Sequence, residues 1–139
     1  MILADTSAWV EYDRASCSAV DRRLVELISA DDGQLATTEP VIMEVVAGAR
    51  TDERGNQLRR MLARFELLRF DAVADFDGAA RMYRACRRAG IKPRGMVDCM
   101  IAAVAWRHGA TLLAQDPEMS RLAKVVGITM EGASLSAEL

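Results

Sequence analysis

The sequence is poor in the residues that bind transition metals or form disulfides. It has a single histidine, His108, which excludes an HExxH site and argues against a histidine-rich zinc site or a ribonuclease with paired catalytic histidines. Its cysteines are odd in number and lack the spacing of a metal-binding motif, so we expect free thiols in a reducing cytosol at Cys17, Cys86 and Cys99.

Long apolar runs are also missing. No apolar stretch reaches the 18 residues of a membrane span. The apolar start of the chain has no basic residues before it and is interrupted by Asp5, unlike a secretory signal peptide. We therefore expect a cytoplasmic protein without membrane contacts. With 51% hydrophobic and 27% charged residues, the 139-residue chain has an ordinary globular composition, and we expect residues 1–139 to form a single domain.

The net charge of −2 conceals a strong asymmetry along the chain. Residues 50–94 contain twelve basic and six acidic side chains, whereas the remainder contains six basic and fourteen acidic ones. A basic segment beside an acidic remainder is able to bind a polyanion such as a nucleic acid. The arginines could equally serve only to solvate exposed helix faces, and composition alone leaves both interpretations open.

Short apolar segments alternate with segments of helical spacing. The pattern predicts strands at 2–4, 34–37, 67–70, 111–115 and 128–130. A helical turn at 9–13 and helices near 20–28, 41–49, 58–68, 76–88, 96–106 and after 116 are predicted between and after them. The helices at 41–49 and 96–106 are apolar almost all round, so we expect them to be buried. This alternation predicts an α/β fold with a mainly parallel sheet covered on both faces.

Four acidic residues occupy unusual positions in this pattern. Asp5 and Asp116 directly follow strands, at the sheet edge where ligand sites form, and Glu44 and Asp98 interrupt the two apolar helices. Ionised carboxylates are rarely buried unless they are paired or bind a metal. Two of them about 5 Å apart repel by roughly 3 kcal/mol at an effective dielectric constant of 20, so four need a divalent cation. Oxygen ligands alone favour Mg²⁺ or Mn²⁺.

Each acid also has a purely structural interpretation. Asp5 and Asp116 could cap the helices that follow them, Asp98 could complement a helix dipole, and Glu44 could pair with a buried arginine.

Three further residues could support a metal site. Thr6 and Ser7 follow Asp5 and could orient it or a metal-bound water, although capping a helix would use them equally well. Glu118 could approach the metal from two residues beyond Asp116, or be an exposed acid in the first turn of a helix.

Four segments, in this order, resemble the PIN-domain ribonucleases, and in particular the VapC-type toxins of bacterial toxin–antitoxin pairs. They are DTSAW from residue 5, EPVIMEV from residue 39, RGMVDCMIAA from residue 94 and LLAQD from residue 112. Two departures concern the last segment. Ala114 replaces a frequent hydroxyl residue, and Glu118 and Met119 stand where the family often has a second acid and an aromatic residue.

The resemblance implies a three-layer α/β/α sandwich and endonucleolytic cleavage of RNA that depends on Mg²⁺ or Mn²⁺. It implies that Asp5, Glu44, Asp98 and Asp116 form the catalytic, metal-binding cluster, with Asp5 and Asp98 as the first ligands. We expect metal-activated water to attack in line and to leave a 3′-hydroxyl and a 5′-phosphate. The resemblance also implies a homodimer and a cognate antitoxin that blocks the acidic pocket. The arginines expected to guide the RNA backbone are Arg81, Arg84, Arg87, Arg88 and Arg94.

Three alternatives are kept open. A HAD-like phosphohydrolase would have Asp-x-Asp after its first strand, but residue 7 is Ser. A receiver-like signalling module would have a phosphoacceptor Asp at the end of a central strand, whereas Glu44 lies within a helix. A PIN fold that binds RNA or a partner without cleaving it is the third alternative, and metal-dependent cleavage that Asp5→Asn abolishes would exclude it.

Overall fold

A computed structural model of the chain describes residues 1–136. Its strands are β1 (Ile2–Ala4), β2 (Leu35–Thr37), β3 (Glu66–Leu67) and β4 (Thr111–Leu113). Its helices are α1 (Thr6–Asp13), α2 (Ala19–Ala30), α3 (Glu39–Ala47), α4 (Asp52–Leu62), α5 (Ala74–Arg88), α6 (Met96–His108) and α7 (Pro117–Val126). In the described part of the chain, no helix is long and apolar enough to cross a membrane.

The four strands form one parallel sheet in the order β3-β2-β1-β4. β1 lies between β2 and β4, with Leu3 in register with Ala36 on one side and Leu112 on the other. Every residue of β1 and β2 is buried. Because successive strand residues point to opposite faces, both faces of the sheet centre are covered, as predicted.

The hydrophobic core extends from the sheet into helix α6. In α6, the segment from Ile101 to Ala105 is buried, and α5 packs along this helix. Elsewhere α1 packs against both α2 and α3. The prediction of an apolar, buried helix at 96–106 is therefore confirmed for its central residues, although Trp106 at its end is 63% exposed.

The helix predicted at 41–49 is not buried on all sides. Only Pro40, Val41 and Val45 of α3 are buried, and Met43 is 52% exposed. The prediction failed because α3 packs against α1, α4 and α6 along part of its circumference and leaves an apolar strip at the surface. Apolar character around a whole helix indicates burial only when neighbouring elements surround it.

The remaining differences between the predicted and the observed structure lie at the ends of helices and strands. α1 begins at Thr6 rather than at Trp9, because the Asp5 carbonyl accepts the Ala8 amide at 3.0 Å and starts the helix at the strand end. β3 is only two residues long, rather than extending to residue 70. The strand predicted at 128–130 reduces to one parallel bridge between Met130 and Leu112.

Candidate active site

The four acidic residues singled out by the sequence line one surface cleft of about 360 Å³. Asp5 follows β1 and Asp116 follows β4, so the parallel pairing of these strands brings the two side chains to one edge of the sheet. Glu44 is provided by the middle of α3 and Asp98 by the first turn of α6. The other lining residues are Thr6, Ser7, Val10, Glu11, Arg14, Arg94 and Gln115.

Asp5 is buried with only half of its carboxylate satisfied. Its side chain is 2% exposed, and Oδ2 accepts a hydrogen bond from the Ser7 hydroxyl at 2.9 Å. Its Oδ1 has no hydrogen-bond partner among the described residues. Although Asp5 precedes α1, its side chain makes no capping hydrogen bond, so the capping interpretation does not explain it. A buried, half-satisfied carboxylate is costly unless a ligand completes it.

Ser7 connects Asp5 to the loop that carries Asp116. Its hydroxyl donates to Asp5 and accepts the backbone amide of Gln115 at 2.8 Å. Thr6 makes a comparable connection on the other side of the cleft, donating to Glu44 Oε1 at 2.6 Å. Ser7 therefore orients Asp5, as the sequence suggested, whereas Thr6 contacts Glu44, a partner that the sequence did not indicate.

The electrostatics of the cleft disfavour ionisation. Burial raises the pKa of Asp5 to about 6, and the charges of Asp116 and Glu44 add to this effect, while the Ser7 hydrogen bond opposes it. Burial also raises the pKa of Asp98 to about 7, with repulsion from Asp5, Asp116 and Glu44 as further causes. Arg94 acts in the opposite direction on Asp98. The four carboxylates are thus close enough to oppose one another's charge.

Glu44 differs from its predicted environment. It is half-buried rather than enclosed, because the α3 surface around it is open. Within residues 1–136 it forms no ion pair within 4 Å, so the suggested pairing with a buried arginine is wrong, and its hydrogen bond comes from Thr6.

Asp116 and Glu118 have separate surroundings. Asp116 caps α7 by accepting the Glu118 amide at 3.0 Å, and its Oδ1 lies 3.7 Å from a terminal nitrogen of the exposed Arg94. Glu118 pairs with Arg121 at 2.5 Å and does not line the cleft. Glu118 is thus half-buried and paired within α7, and its supporting role at the metal site stays a prediction.

The donor set of the cleft fits a hard divalent cation. Its ionisable ligands are all carboxylates, one buried oxygen has no partner, and two of the acids resist ionisation in the absence of added positive charge. The side chains surround the cleft without converging, because within residues 1–136 no three histidine, cysteine, aspartate or glutamate residues are placed to bind one ion together. Binding therefore requires side-chain adjustment or retained waters, as Mg²⁺ sites commonly have.

The predicted RNA-binding arginines divide into two groups. Arg94 lines the acidic cleft, whereas Arg81, Arg84, Arg87 and Arg88 project from α5 and do not line it. Arg14, which the predicted elements did not indicate, also lines the acidic cleft. A helix starting at Thr6 would have revealed it, because positions 6, 10 and 14 share one helical face.

Comparison with known proteins identifies the family. The PIN domain family model matches residues 2–125. Ribonuclease VapC11 from Mycobacterium tuberculosis is 41% identical over 128 residues, which cover 92% of this chain and 96% of that protein.

Solved structures share the fold at lower sequence identity. VapBC2 from Rickettsia felis bound to a promoter DNA fragment aligns with a TM-score of 0.72 and 19% identity, covering 94% of this chain and 98% of that one. A toxin–antitoxin complex from Klebsiella pneumoniae aligns with a TM-score of 0.61 and 20% identity, covering 84% and 87%. The predicted PIN-like α/β fold is thereby confirmed. The family match and the identity to VapC11 together show that the chain belongs to the PIN-domain family, as a VapC-type member.

Proposed function

We propose that this chain is a metal-dependent endoribonuclease and the toxin of a type II toxin–antitoxin pair, formed by a single domain over residues 1–139. The observation that carries this proposal is the buried Asp5 carboxylate, one oxygen of which has no partner among the described residues, at a cleft that three other acids also line. Its relative VapC11 is named a ribonuclease, which supplies the substrate class. Family membership does not support the HAD-like or receiver-like alternatives.

The residues of the cleft have distinct proposed roles. Asp5 and Asp98 hold the cation, Mg²⁺ or Mn²⁺, and Glu44 and Asp116 complete the acidic cluster. When bound, such an ion neutralises phosphate charge and makes a bound water more acidic. Ser7 and Thr6 fix the orientation of Asp5 and Glu44 through the hydrogen bonds described above.

Arg94 is proposed to hold the RNA backbone at the cleft. Its side chain is 70% exposed and its guanidinium lies 3.7 Å from Asp116, so it is able to contact a phosphate while remaining beside the acids. A cation at this rim lowers the repulsion that an anionic strand meets on approaching four carboxylates.

The proposed partners are an RNA substrate, a cognate antitoxin and a second copy of the chain in a homodimer. Support for the antitoxin comes from the similarity to a complex described as toxin–antitoxin. An inhibitor that covers the acidic cleft would block the RNA from the carboxylates, which is the simplest way to neutralise such an enzyme.

The decisive experiment measures cleavage of end-labelled single-stranded RNA with Mg²⁺ or Mn²⁺, with EDTA, and by Asp5→Asn. We expect cleavage only with metal and wild-type protein, and products with 3′-hydroxyl and 5′-phosphate ends. Asp77→Asn is the matched control, because Asp77 is an exposed acid outside the cleft. RNA that is bound but remains intact under all metal conditions would contradict the proposal and identify a non-cleaving PIN protein.

A further inference from the structure

Helix α5 has two halves of opposite electrostatic character. In the N-terminal half, Asp75 pairs with Arg107 and Asp77 pairs with Arg81 four residues later. In the C-terminal half, Arg84, Arg87 and Arg88 are exposed and form no ion pair with any described residue. The first half is therefore neutralised by the chain itself and the second half is not.

The three arginines share a surface cleft with an aromatic residue. Together with the half-buried Tyr83 they line a shallow surface cleft of about 330 Å³, which we call the Tyr83 cleft. Like charges three or four residues apart destabilise a helix by about 0.2–0.5 kcal/mol per pair. The helix dipole favours cations in the last turn, which explains Arg87 and Arg88 in part but not Arg84, one turn earlier.

The Tyr83 cleft is connected to the acidic cleft by a segment of one charge sign. Residues 78–97 contain six basic side chains and no acid. The segment passes from the end of α5 to Arg94, on the rim of the acidic cleft, and then into α6. The Cα atoms of Arg88 and Arg94 are six residues apart and are separated by at most about 20 Å, even in a fully extended chain. This distance is within the length of a single strand of several nucleotides.

We propose that the Tyr83 cleft binds single-stranded RNA that flanks the cleaved bond, an inference that rests on the proposed function. Guanidinium groups contact phosphates, and a tyrosine ring offers a surface on which a base stacks irrespective of its identity. Such a site strengthens binding to a longer strand without reading its sequence. Arg81 does not line the Tyr83 cleft and pairs with Asp77, so it is not included in this site.

The test compares two triple variants that remove the same charge. R84Q/R87Q/R88Q removes the three arginine charges of the Tyr83 cleft, and R59Q/R60Q/R69Q removes three exposed arginine charges elsewhere. Binding of a fluorescent 12-nucleotide single-stranded RNA is measured by anisotropy over a range of salt concentrations, without divalent metal. We expect only the first variant to lose at least about tenfold in affinity and to flatten the log–log salt slope by about 2, at roughly 0.7 per phosphate contact.

A second pair of variants tests the aromatic ring. Tyr83→Leu should weaken binding at least about fivefold, whereas Tyr83→Phe, which keeps the ring, should bind like the wild type. Equal losses in the two triple variants, unchanged binding by R84Q/R87Q/R88Q, or preferential capture of an acidic polyglutamate peptide over RNA would overturn the inference. Because binding is measured without metal, these outcomes are independent of whether the chain cleaves RNA.

Discussion

Two buried aspartates in this protein have opposite surroundings. Asp75 is 1% exposed and Asp5 is 2% exposed. Arg107 donates to both oxygens of Asp75, at 2.9 and 2.8 Å, and the Asp71 amide adds a third hydrogen bond at 2.7 Å. Asp5 receives one side-chain hydrogen bond, from Ser7, and its other oxygen has no partner among the described residues.

The difference is reflected in the two pKa values. Burial alone raises the pKa of Asp75, but the hydrogen bonds from Arg107 and Asp71 outweigh burial and leave the pKa below its ordinary value. At Asp5 burial dominates, the neighbouring acids reinforce it, and the pKa rises to about 6. The chain thus supplies Asp75 with a counter-ion and hydrogen bonds to both of its oxygens, but leaves one oxygen of Asp5 without a partner among the described residues. A buried charge with its own counter-ion indicates structure, and one without it indicates a ligand.

The largest effect is expected when an acid of the cleft is removed. Asp98→Asn should reduce metal-dependent RNA cleavage at least about a hundredfold, since loss of a residue that only hydrogen-bonds to a metal ligand commonly costs about 10–100-fold. The melting temperature of the metal-free protein should not fall, because the substitution relieves repulsion among the acids. Single-turnover cleavage and thermal unfolding check both parts, and unaltered cleavage would exclude Asp98 from the site.

Substituting Asp75, the aspartate that is paired with Arg107, should reduce stability and leave cleavage intact. Asp75→Asn should lower the free energy of unfolding by about 2 kcal/mol, because Arg107 loses its charged partner while remaining partly solvated. Urea denaturation measures this, and cleavage per folded molecule should be retained. In D75N/R107Q the loss should be smaller than the sum of the two single losses, and strict additivity would show that the pair is not coupled.

The hydroxyl groups should have a smaller influence. Ser7→Ala removes the only side-chain hydrogen bond to Asp5 in the described structure and the acceptor of the Gln115 amide, so we expect about tenfold weaker metal binding. Thr6→Val, which removes the hydroxyl that contacts Glu44, should be milder because Glu44 is only half-buried. Calorimetric titration with Mn²⁺ tests this order, and a larger loss in Thr6→Val would reverse the assigned importance of the two acids.

The smallest predicted effect is that the stability of the metal-free protein, and its increase by Mg²⁺, depend on pH. Above pH 3.8 the folded protein keeps protons that the unfolded chain has released, up to a pH of about 6 on Asp5 and about 7 on Asp98. Their contribution to metal-free stability is therefore complete below pH 3.8 and is lost as pH rises through about 6 to 7. Because Mg²⁺ must displace these protons, it should raise the melting temperature by a few degrees more at pH 8 than at pH 5. Equal shifts at both pH values would contradict the assignment.

The sequence was informative where local pattern determines structure. Strand ends are marked by an abrupt change from apolar to polar residues, and this change alone predicts Asp5 and Asp116 at one sheet edge, where the structure has them. Asp98 stands out as the one acid of an apolar helix. These signals suffice because parallel strands align their carboxyl ends and because an isolated acid within an apolar helix needs a reason.

The sequence was uninformative where tertiary packing decides. The way the helices pack determines three features that the sequence does not show. These are the exposed face of α3, the pairing of Glu118 with Arg121, and the position of the α5 arginines outside the acidic cleft. The neutralisation of Asp75 by Arg107 joins residues 32 positions apart, and no local pattern indicates it. Sequence alone therefore could not show that Asp75 is paired with an arginine and that Asp5 is not.

The most direct test is a calorimetric titration of the metal-free protein with Mn²⁺ at pH 6.5, in two buffers with different ionisation enthalpies. The account predicts that wild-type protein binds Mn²⁺ and releases protons, mainly from Asp98 because the pKa of Asp5 lies below 6.5, whereas D5N/D98N neither binds tightly nor releases them. Mn²⁺ binding of equal affinity in wild-type and D5N/D98N protein would show that these carboxylates do not form the metal site.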